Sequence, residues 1–446
     1  MYTNITIQNL VESFYSGSIK IDDYYHNLHL KYNKFKSLRS FITFNEPIYS
    51  QYSIQPKGVR LPLFGIPVSL KDNINVVGMP TTSGTLGLRD FYPVRCAPVV
   101  NCFQQLGVSI VGKNNMHELS FGVKSNNKTF GNVIHPHYPS YSAGGSSSGC
   151  AVAVAAGIVP CALGTDTGGS VRIPASFCGV VGFKPTKGCY PHQCILSISH
   201  TKDTVGLITR TAQDCLYVHS HYVKETSVFL EKKKPIRIGI PEKFLWSKLD
   251  AHVKKYSLAA IDLIRQNEIE LIKIDDSIIE ELNEKIKFSV PIYEFFINFT
   301  YYLQEQNIID KFDSIINLIS DHHAKQLIKD QIEKGLFSYQ DYVEGLLARQ
   351  RLKKEVAQIF SQNNLDAIVY PTVPCQVPSL KEADEDINFT NCIRNTDPAS
   401  NLAMPSVTIP VASKGVLPVG LSIDGLPGKD LFILEIAVKL EKYLAF

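Results

Sequence analysis

Two serine clusters set among glycines, with an apolar run between them, constrain the fold of this chain most strongly. Residues 140–176 read SYSAGGSSSGCAVAVAAGIVPCALGTDTGGSVRIPAS, and Ser170 follows Ser146 by 24 residues. The run at 151–163 consists mostly of small aliphatic residues. A flexible glycine–serine linker would not contain such a run, so the segment predicts a buried small-residue helix between two glycine-bearing turns.

The second turn, residues 164–170, has the composition of a site that stabilises a negatively charged oxygen. Glycines let consecutive backbone N–H groups converge on one point, as an oxyanion hole requires. Ser170, at the end of this turn, would then be placed to attack the carbon whose oxygen those amides hold. Asp166 and Arg172 flank the turn, and we expect them to form a partly buried ion pair that fixes it. The segment is therefore suited to acyl transfer.

Lys71 ends an apolar stretch at residues 67–70 and is followed by Asp72. Two interpretations fit a lysine at the tip of a buried strand. Either it forms a structural ion pair with Asp72, or burial disfavours its charged form and leaves a neutral amine able to accept a proton. The second interpretation is favoured because no histidine–carboxylate pair is well placed in the sequence to activate the serines.

Other catalytic and metal-binding motifs are weaker. Residues 145–149 match G-x-S-x-G, but Pro136 and Pro139 exclude the apolar strand that must precede a nucleophile elbow. Residues 199–202 match S-x-x-K without the K-T-G segment that would support it. Two histidine pairs lack a third ligand at a useful spacing: His135 with His137, and His322 with His323. We therefore predict no metal site.

Composition limits the partners and the compartment. The 446 residues are 44% hydrophobic and 20% charged, with a net charge of +3. This balance favours a globular protein and argues against nucleic acid or an anionic membrane as the main partner. The ten cysteines form no C-x-x-C pair, which is typical of reduced, buried thiols in a cytosolic protein. The sequence shows neither a signal-peptide pattern nor a bilayer-spanning run, so we expect a cytoplasmic location.

Strand-like and helix-like segments alternate along the chain, which indicates an α/β protein. The alternation is clearest in a core at about 60–215. A more helical insert follows at about 222–350, and strand character returns at about 360–446. Because strands flank the insert on both sides, we predict one sheet built from the whole chain, in a single domain of residues 1–446.

Aromatic residues are concentrated in the insert, at residues 293–302. A run of this kind more often belongs to an apolar core than to a ligand site. It is also a candidate wall for an apolar substrate, and the sequence leaves these two interpretations open.

The segments around the serines and Lys71 together resemble the amidase signature family. The matching segments are GGSSSGCAVAVAAG at 144–157, GTDTGGSVRIPASFCGVVGFKPT at 164–186 and VSLKDNI at 68–74. Further similarity is scattered from about residue 60 to 425, whereas the insert carries little of it. The resemblance implies a single mixed β-sheet sandwiched by α-helices. It also implies hydrolysis of a carboxylic amide to a carboxylate and ammonia, with neither cofactor nor metal.

By position, the resemblance implies a Ser–Ser–Lys catalytic triad. Ser170 would be the nucleophile that forms an acyl-serine intermediate, and Lys71 the base. Ser146 would relay the proton between them, and the peptide bond before it is cis in the family. Backbone amides of the second turn would form the oxyanion hole: Thr167, Gly168, Gly169 and Ser170.

Within the family, residues 81–100 and 197–210 are most similar to hydrolases of arylalkyl amides. This implies a small primary amide such as mandelamide or indole-3-acetamide, bound in an apolar pocket. One alternative is the glutamine-hydrolysing subunit of a tRNA-dependent amidotransferase, which needs a charged pocket and partner proteins. The other is a non-catalytic scaffold with the amidase fold, which should lack a triad residue. The expected partner is the small amide, and a homodimer is left open.

Overall fold

A computed structural model describes residues 5–45, 58–225, 235–384, 389–412 and 415–444. Within this part of the chain, one sheet has eleven strands: β1 (Phe41–Phe44), β2 (Pro67–Lys71), β3 (Ser109–Asn114), β4 (Cys161–Asp166), β5 (Val181–Lys184), β6 (Thr204–Thr209), β7 (Ile236–Pro241), β8 (Ile269–Ile274), β9 (Ala367–Pro371), β10 (Ser406–Pro410) and β11 (Gly420–Asp424). Their order across the sheet is β1-β3-β2-β4-β6-β5-β10-β11-β9-β7-β8.

Helices surround this sheet. They are α1 (Ile7–Ser16), α2 (Ile21–Phe35), α3 (Pro98–Gln105), α4 (Ser148–Ala155), α5 (Arg172–Cys178), α6 (Ala212–Val223), α7 (Ala251–Arg265), α8 (Ser277–Ile286), α9 (Ser289–Glu305), α10 (Phe312–Leu318), α11 (His322–Lys334), α12 (Tyr339–Asn363), α13 (Leu380–Asp384), α14 (Phe389–Ile393), α15 (Asp397–Asn401) and α16 (Asp430–Tyr443). None of the helices within the described ranges combines the length and the apolar character needed to cross a bilayer.

The sheet is mixed, as the resemblance to the amidase signature family implied. Strand β2 runs parallel to β3 and β4, and β7 runs parallel to β8 and β9, whereas the remaining pairs are antiparallel. Strands from residues 41 to 424 join this one sheet, so the parts before and after the insert share it. The predicted insert at 222–350 begins with β7 and β8 near one edge of the sheet and becomes purely helical only from α8.

The predicted small-residue helix is α4, which is almost completely buried and contacts β2, β3, β4 and β6. Small side chains allow this close approach to the sheet. At Gly149 a Cβ atom would lie 2.3 Å from the carbonyl oxygen of Ser40, so only glycine fits there. The glycine-bearing turns on either side of α4 and β4 are thereby held against the central strands.

Helices α8 to α12 pack through apolar clusters that are separate from the main core around the sheet. One cluster joins α8 and α12, with Leu282 and Leu352 among its members. Another contains Phe295, Phe299 and Tyr302 from the aromatic run. Of the two interpretations left open for this run, a place in an apolar core is therefore confirmed for these three residues.

Candidate active site

Lys71 is the last residue of β2, and its side chain has no exposed surface. Its Nζ atom donates hydrogen bonds to Ser146 Oγ and to Thr165 Oγ1, both at 2.7 Å. Burial disfavours the ammonium form and lowers the pKa of Lys71 to about 8. A substantial fraction of this amine is therefore neutral at mildly alkaline pH, in direct contact with a serine hydroxyl.

Asp72 does not serve as the partner of Lys71. Its Oδ1 atom lies 3.0 Å from Nζ of Lys113, and both side chains are fully buried. Its other oxygen accepts a hydrogen bond from the backbone N–H of Thr82 at 3.0 Å. The sequence left open a structural ion pair between Lys71 and Asp72. That interpretation is wrong, because Asp72 forms its ion pair with Lys113.

Ser146 is fully buried in the first glycine-bearing turn, and the peptide bond between Gly145 and Ser146 is cis. A Cβ atom at Gly145 would lie 2.2 Å from the carbonyl oxygen of Lys124, which explains the glycine at that position. The next backbone N–H, of Ser147, donates to the carbonyl oxygen of Ser170 at 3.1 Å. This bond brings the two predicted catalytic serines into adjacent turns.

The second turn is held by a buried carboxylate. Asp166 accepts hydrogen bonds from the N–H groups of Gly169 (2.8 Å) and Val171 (3.1 Å), and from the Arg172 guanidinium at 2.8 and 3.0 Å. Burial raises the pKa of Asp166, but the Arg172 guanidinium, together with Lys184 and the backbone N–H of Val171, more than offsets this and lowers it to about 2. The predicted ion pair is confirmed, and it is completely rather than partly buried.

Gly169 is the residue of this turn that least tolerates a side chain. Its φ is +138°, and a Cβ atom would lie 2.2 Å from Thr396 Oγ1 and 2.7 Å from Ile173 Cδ1. Its N–H is directed at the Asp166 carboxylate. Of the four amides predicted for the oxyanion hole, this one therefore already has a partner that fixes the turn.

A cavity of about 300 Å³ has Ser170 in its lining, together with Thr167 and Gly168 from the same turn. Apolar side chains form most of the remaining lining: Phe121, Val123, Ile198, Phe288, Pro291, Ile292, Leu327, Leu336, Phe337, Phe389 and Ile393. Lys71 and Ser146 are fully buried and lie outside this lining. Of the three predicted catalytic side chains, the cavity therefore exposes one, that of Ser170, to an apolar ligand.

The insert contributes to this wall, but not through the aromatic run at 293–302. Phe288 and Ile292, just before the run, line the cavity. Phe295 instead packs in the apolar core, where its ring lies 4.7 Å from that of Phe121. Since Phe121 itself lines the cavity, the run supports the wall from behind rather than forming it.

The sequence did not point to three charged residues that line the cavity: Lys202, Asp397 and Lys287, the last of which pairs with Glu284 at 3.1 Å. Lys202 belongs to the S-x-x-K match that lacks a supporting K-T-G segment, and Asp397 belongs to no motif. Lys202 Nζ and Asp397 Oδ1 lie 2.6 Å apart although 195 residues separate them along the chain. No local signal marks these two, because the sequence around each residue is polar, SHTKDT at 199–204 and RNTD at 394–397.

His135, one of the histidines considered as metal ligands, has other contacts. His135 Nε2 lies 2.9 Å from the carbonyl oxygen of Phe177, and its Nδ1 accepts from the backbone N–H groups of His137 and Tyr138. A group within the described ranges that could share a metal ion has its ligand atoms within 4.8 Å of one another: Cys189, His219 and Asp430. None of these three lines the cavity.

Comparisons with known proteins identify the family. A sequence model of the amidase family matches residues 38–434. The indoleacetamide hydrolase of Pseudomonas savastanoi is 41% identical over 100% of this chain and 98% of its own length. The mandelamide hydrolase of Pseudomonas putida is 34% identical over 99% of this chain and 89% of its own. A crystal structure of an amidase superposes with a TM-score of 0.86 at 26% identity, covering 99% of this chain and 100% of the other. The chain therefore belongs to the amidase family and is an amide hydrolase.

Proposed function

We propose that this amidase hydrolyses a small arylalkyl primary amide through an acyl-serine intermediate, with Ser170 as nucleophile, Ser146 as proton relay and Lys71 as base. The observation that supports it most directly is the 2.7 Å contact between Lys71 Nζ and Ser146 Oγ. This contact is sealed from solvent, in the turn that is hydrogen-bonded to Ser170. A buried lysine of lowered pKa can take a proton that an exposed lysine could not.

The reaction begins with neutral Lys71, which accepts the Ser146 proton while Ser146 accepts the Ser170 proton. The Ser170 oxygen bonds to the amide carbon, and the carbonyl oxygen becomes an oxyanion. The proton then returns through Ser146 to the leaving nitrogen, the carbon–nitrogen bond breaks, and ammonia departs. Water hydrolyses the acyl-serine by the same relay, which releases the carboxylate and restores Ser170.

The oxyanion is assigned to the backbone amides of the second turn. Thr167, Gly168 and Ser170 are the donors we favour, because Gly169 donates to Asp166 in the free enzyme. The role of Gly169 is then structural, because it permits the positive φ that the turn requires. Donors fixed before the reaction starts need no reorganisation as negative charge develops, which is why such turns lower the barrier strongly.

The substrate class rests on the cavity and on the relatives. The relatives named above act on indoleacetamide and mandelamide, which are both primary amides carrying an aromatic ring. Phenylalanine, leucine and isoleucine side chains dominate the cavity lining here, and such a lining suits an aryl group. It favours an arylalkyl amide over glutamine, so the amidotransferase subunit is the second candidate. The non-catalytic scaffold is disfavoured because Lys71, Ser146 and Ser170 are all present.

We further propose that the enzyme is cytoplasmic and folds as a single domain. All ten cysteines are free thiols, which suits a reducing compartment. The single sheet that runs from β1 to β11 supports one folding unit.

The proposal is tested by Ser170→Ala. We expect the variant to fold, to release ammonia at least about 1,000-fold more slowly, and to lose labelling by a fluorophosphonate probe. Ser257→Ala is the matched control, since Ser257 is also buried, in α7, and its hydroxyl has no hydrogen-bond partner in the described structure. Labelling that persists in Ser170→Ala would assign the nucleophile to another residue.

A substrate panel tests the amide class separately. Ammonia release would be measured for phenylacetamide, mandelamide, indole-3-acetamide, propionamide and glutamine. We expect the three aryl amides to have the highest kcat/KM values. Faster turnover of glutamine would reject the arylalkyl assignment and favour the amidotransferase candidate.

A further inference from the structure

A buried ion pair stands in the apolar cavity. Lys202 Nζ and Asp397 Oδ1 lie 2.6 Å apart, each side chain is 1% exposed, and both residues line the cavity. A buried ion pair seldom stabilises a protein more than apolar side chains of the same volume would. Stability alone therefore does not account for this pair.

The pair lies at the reacting end of the cavity. A Cβ atom on Gly168 would be 3.0 Å from Asp397 Oδ1, so the carboxylate touches the turn that ends in Ser170. The neighbouring Thr396 hydroxyl donates to the Gly168 carbonyl oxygen at 2.5 Å. A substrate whose carbonyl carbon is at Ser170 therefore brings its nearest carbons close to the pair.

Within the pair and the described residues around it, the lysine has unused hydrogen-bond donors, whereas both oxygens of Asp397 already accept hydrogen bonds. Asp397 Oδ1 accepts from Lys202, and Oδ2 accepts from Asn283 at 3.1 Å and Asn401 at 2.9 Å. The Lys202 ammonium carries three N–H donors, and Asp397 is the acceptor it contacts among the residues that the structure describes. Buried donors without acceptors are costly, so a ligand that supplies an acceptor oxygen here is favoured.

We propose that Lys202 determines substrate specificity by donating a hydrogen bond to an acceptor oxygen on the carbon next to the amide carbonyl. Asp397 orients the ammonium. The preferred substrates are then arylalkyl amides with an α-hydroxyl group. This inference rests on the proposed function, because it assumes that the carbonyl carbon binds at Ser170.

The test compares mandelamide with phenylacetamide, which differ only in the α-hydroxyl group. We expect the wild-type kcat/KM for mandelamide to be at least about tenfold higher, since a site built to bind a hydroxyl rejects the analogue without it. In Lys202→Met the ratio of the two kcat/KM values should fall to about 1. The double variant Lys202→Met with Asp397→Asn should give the same ratio, and it avoids leaving a buried carboxylate without its cation.

Lys273→Met is the control, because Lys273 forms an exposed pair with Glu242 at 2.8 Å and should leave the ratio unchanged. A wild-type ratio near 1, or a ratio retained in both Lys202 variants, would overturn the inference even if both amides are hydrolysed. Absence of ammonia release from either amide would instead reject the proposed function. In that case, calorimetric binding of both amides to Ser170→Ala still decides the inference, since a preference for mandelamide would support it and equal affinity would reject it.

Discussion

The serine–lysine core (residues 60–215) and the helical region (residues 277–363) contribute to one cavity in different ways. The core contributes the hydroxyl of Ser170, on a turn whose backbone is fixed by Asp166, Arg172 and its glycines. The helical region contributes apolar side chains such as Ile292 and Leu327. Bond making needs atoms fixed to within fractions of an ångström, whereas binding a ring needs shape and apolar surface. The two regions thus obey different sequence constraints.

The two regions are joined by Glu294, which is fully buried in α9. Its carboxylate accepts hydrogen bonds from Ser199 Oγ at 2.5 Å and from the Thr201 N–H at 3.0 Å, both in the core. It also accepts from Tyr342 Oη at 3.0 Å, in α12 of the helical region. The same loop carries Lys202, so this carboxylate holds the wall and the charged pair in one arrangement.

The largest expected effect concerns the core, in Lys71→Met. Methionine fills a similar volume without a charge, so the fold should persist. We expect kcat to fall at least about 1,000-fold, because the relay loses its base. Ammonia release and thermal unfolding would be measured on the same samples. Near-native rates at neutral pH would contradict the assignment of Lys71 as base.

Lys113→Met is the matched comparison, since this lysine is equally buried but is paired with Asp72. The substitution leaves Asp72 buried without its cation, which costs roughly 3–5 kcal/mol in the free energy of unfolding. We therefore expect a large loss of stability in Lys113→Met and little loss in Lys71→Met. The reverse pattern would mean that Lys71 is structural.

A smaller loss is expected for Gly169→Ala. The added Cβ meets Thr396 and Ile173 at 2.2 and 2.7 Å and adopts an unfavourable φ, so the turn must shift. We expect about a hundredfold loss of kcat. Gly335→Ala, at the end of α11, has a φ of +61° but open space around the new atom. This variant should lose about 1 kcal/mol in the free energy of unfolding and no activity. Equal losses of kcat in both variants would show that the effect comes from the positive φ and not from the steric clash at Gly169.

The pH dependence should also originate in the core. Burial lowers the pKa of Lys71 from its usual 10.5 to about 8, and only the neutral amine accepts a proton. Below that pH, kcat/KM should therefore rise about tenfold per unit and then level off. Between about 8 and 10.5 the unfolded chain binds the extra proton, so this group makes the free energy of unfolding rise with pH. Initial rates from pH 6 to 9 that stay constant would exclude a titrating lysine base.

The core could be predicted from the sequence because its features are local. Ser146 and Ser170 have flanking glycines, and Lys71 ends an apolar strand, so each was visible within about ten residues. The interpretation that failed was the pairing of Lys71 with Asp72. Neighbouring residues of an extended chain point in opposite directions, and Lys113 on the parallel strand β3 reaches Asp72 instead.

The wall could not be predicted in the same way. An apolar helical pattern shows which face is buried, but not which other element that face meets. The aromatic run therefore had two open interpretations, and the residues of this region that line the cavity lie before the run, at 287–292, and after it, at 323–337. The contact between Lys202 and Asp397 depends on tertiary structure alone, since no local pattern relates residues so far apart.

The smallest expected effect concerns the helical region, in Phe337→Ala. Phe337 is half-buried in the cavity lining, just before α12, and takes no part in the proposed proton relay. We expect kcat/KM for indole-3-acetamide to fall about tenfold while the rate for propionamide changes little, since only the aryl group loses contact area. Tyr301→Ala in α9, where the tyrosine is 64% exposed, should change neither rate. An equal loss for both amides in Phe337→Ala would mean that the helical region helps to position the serine–lysine core.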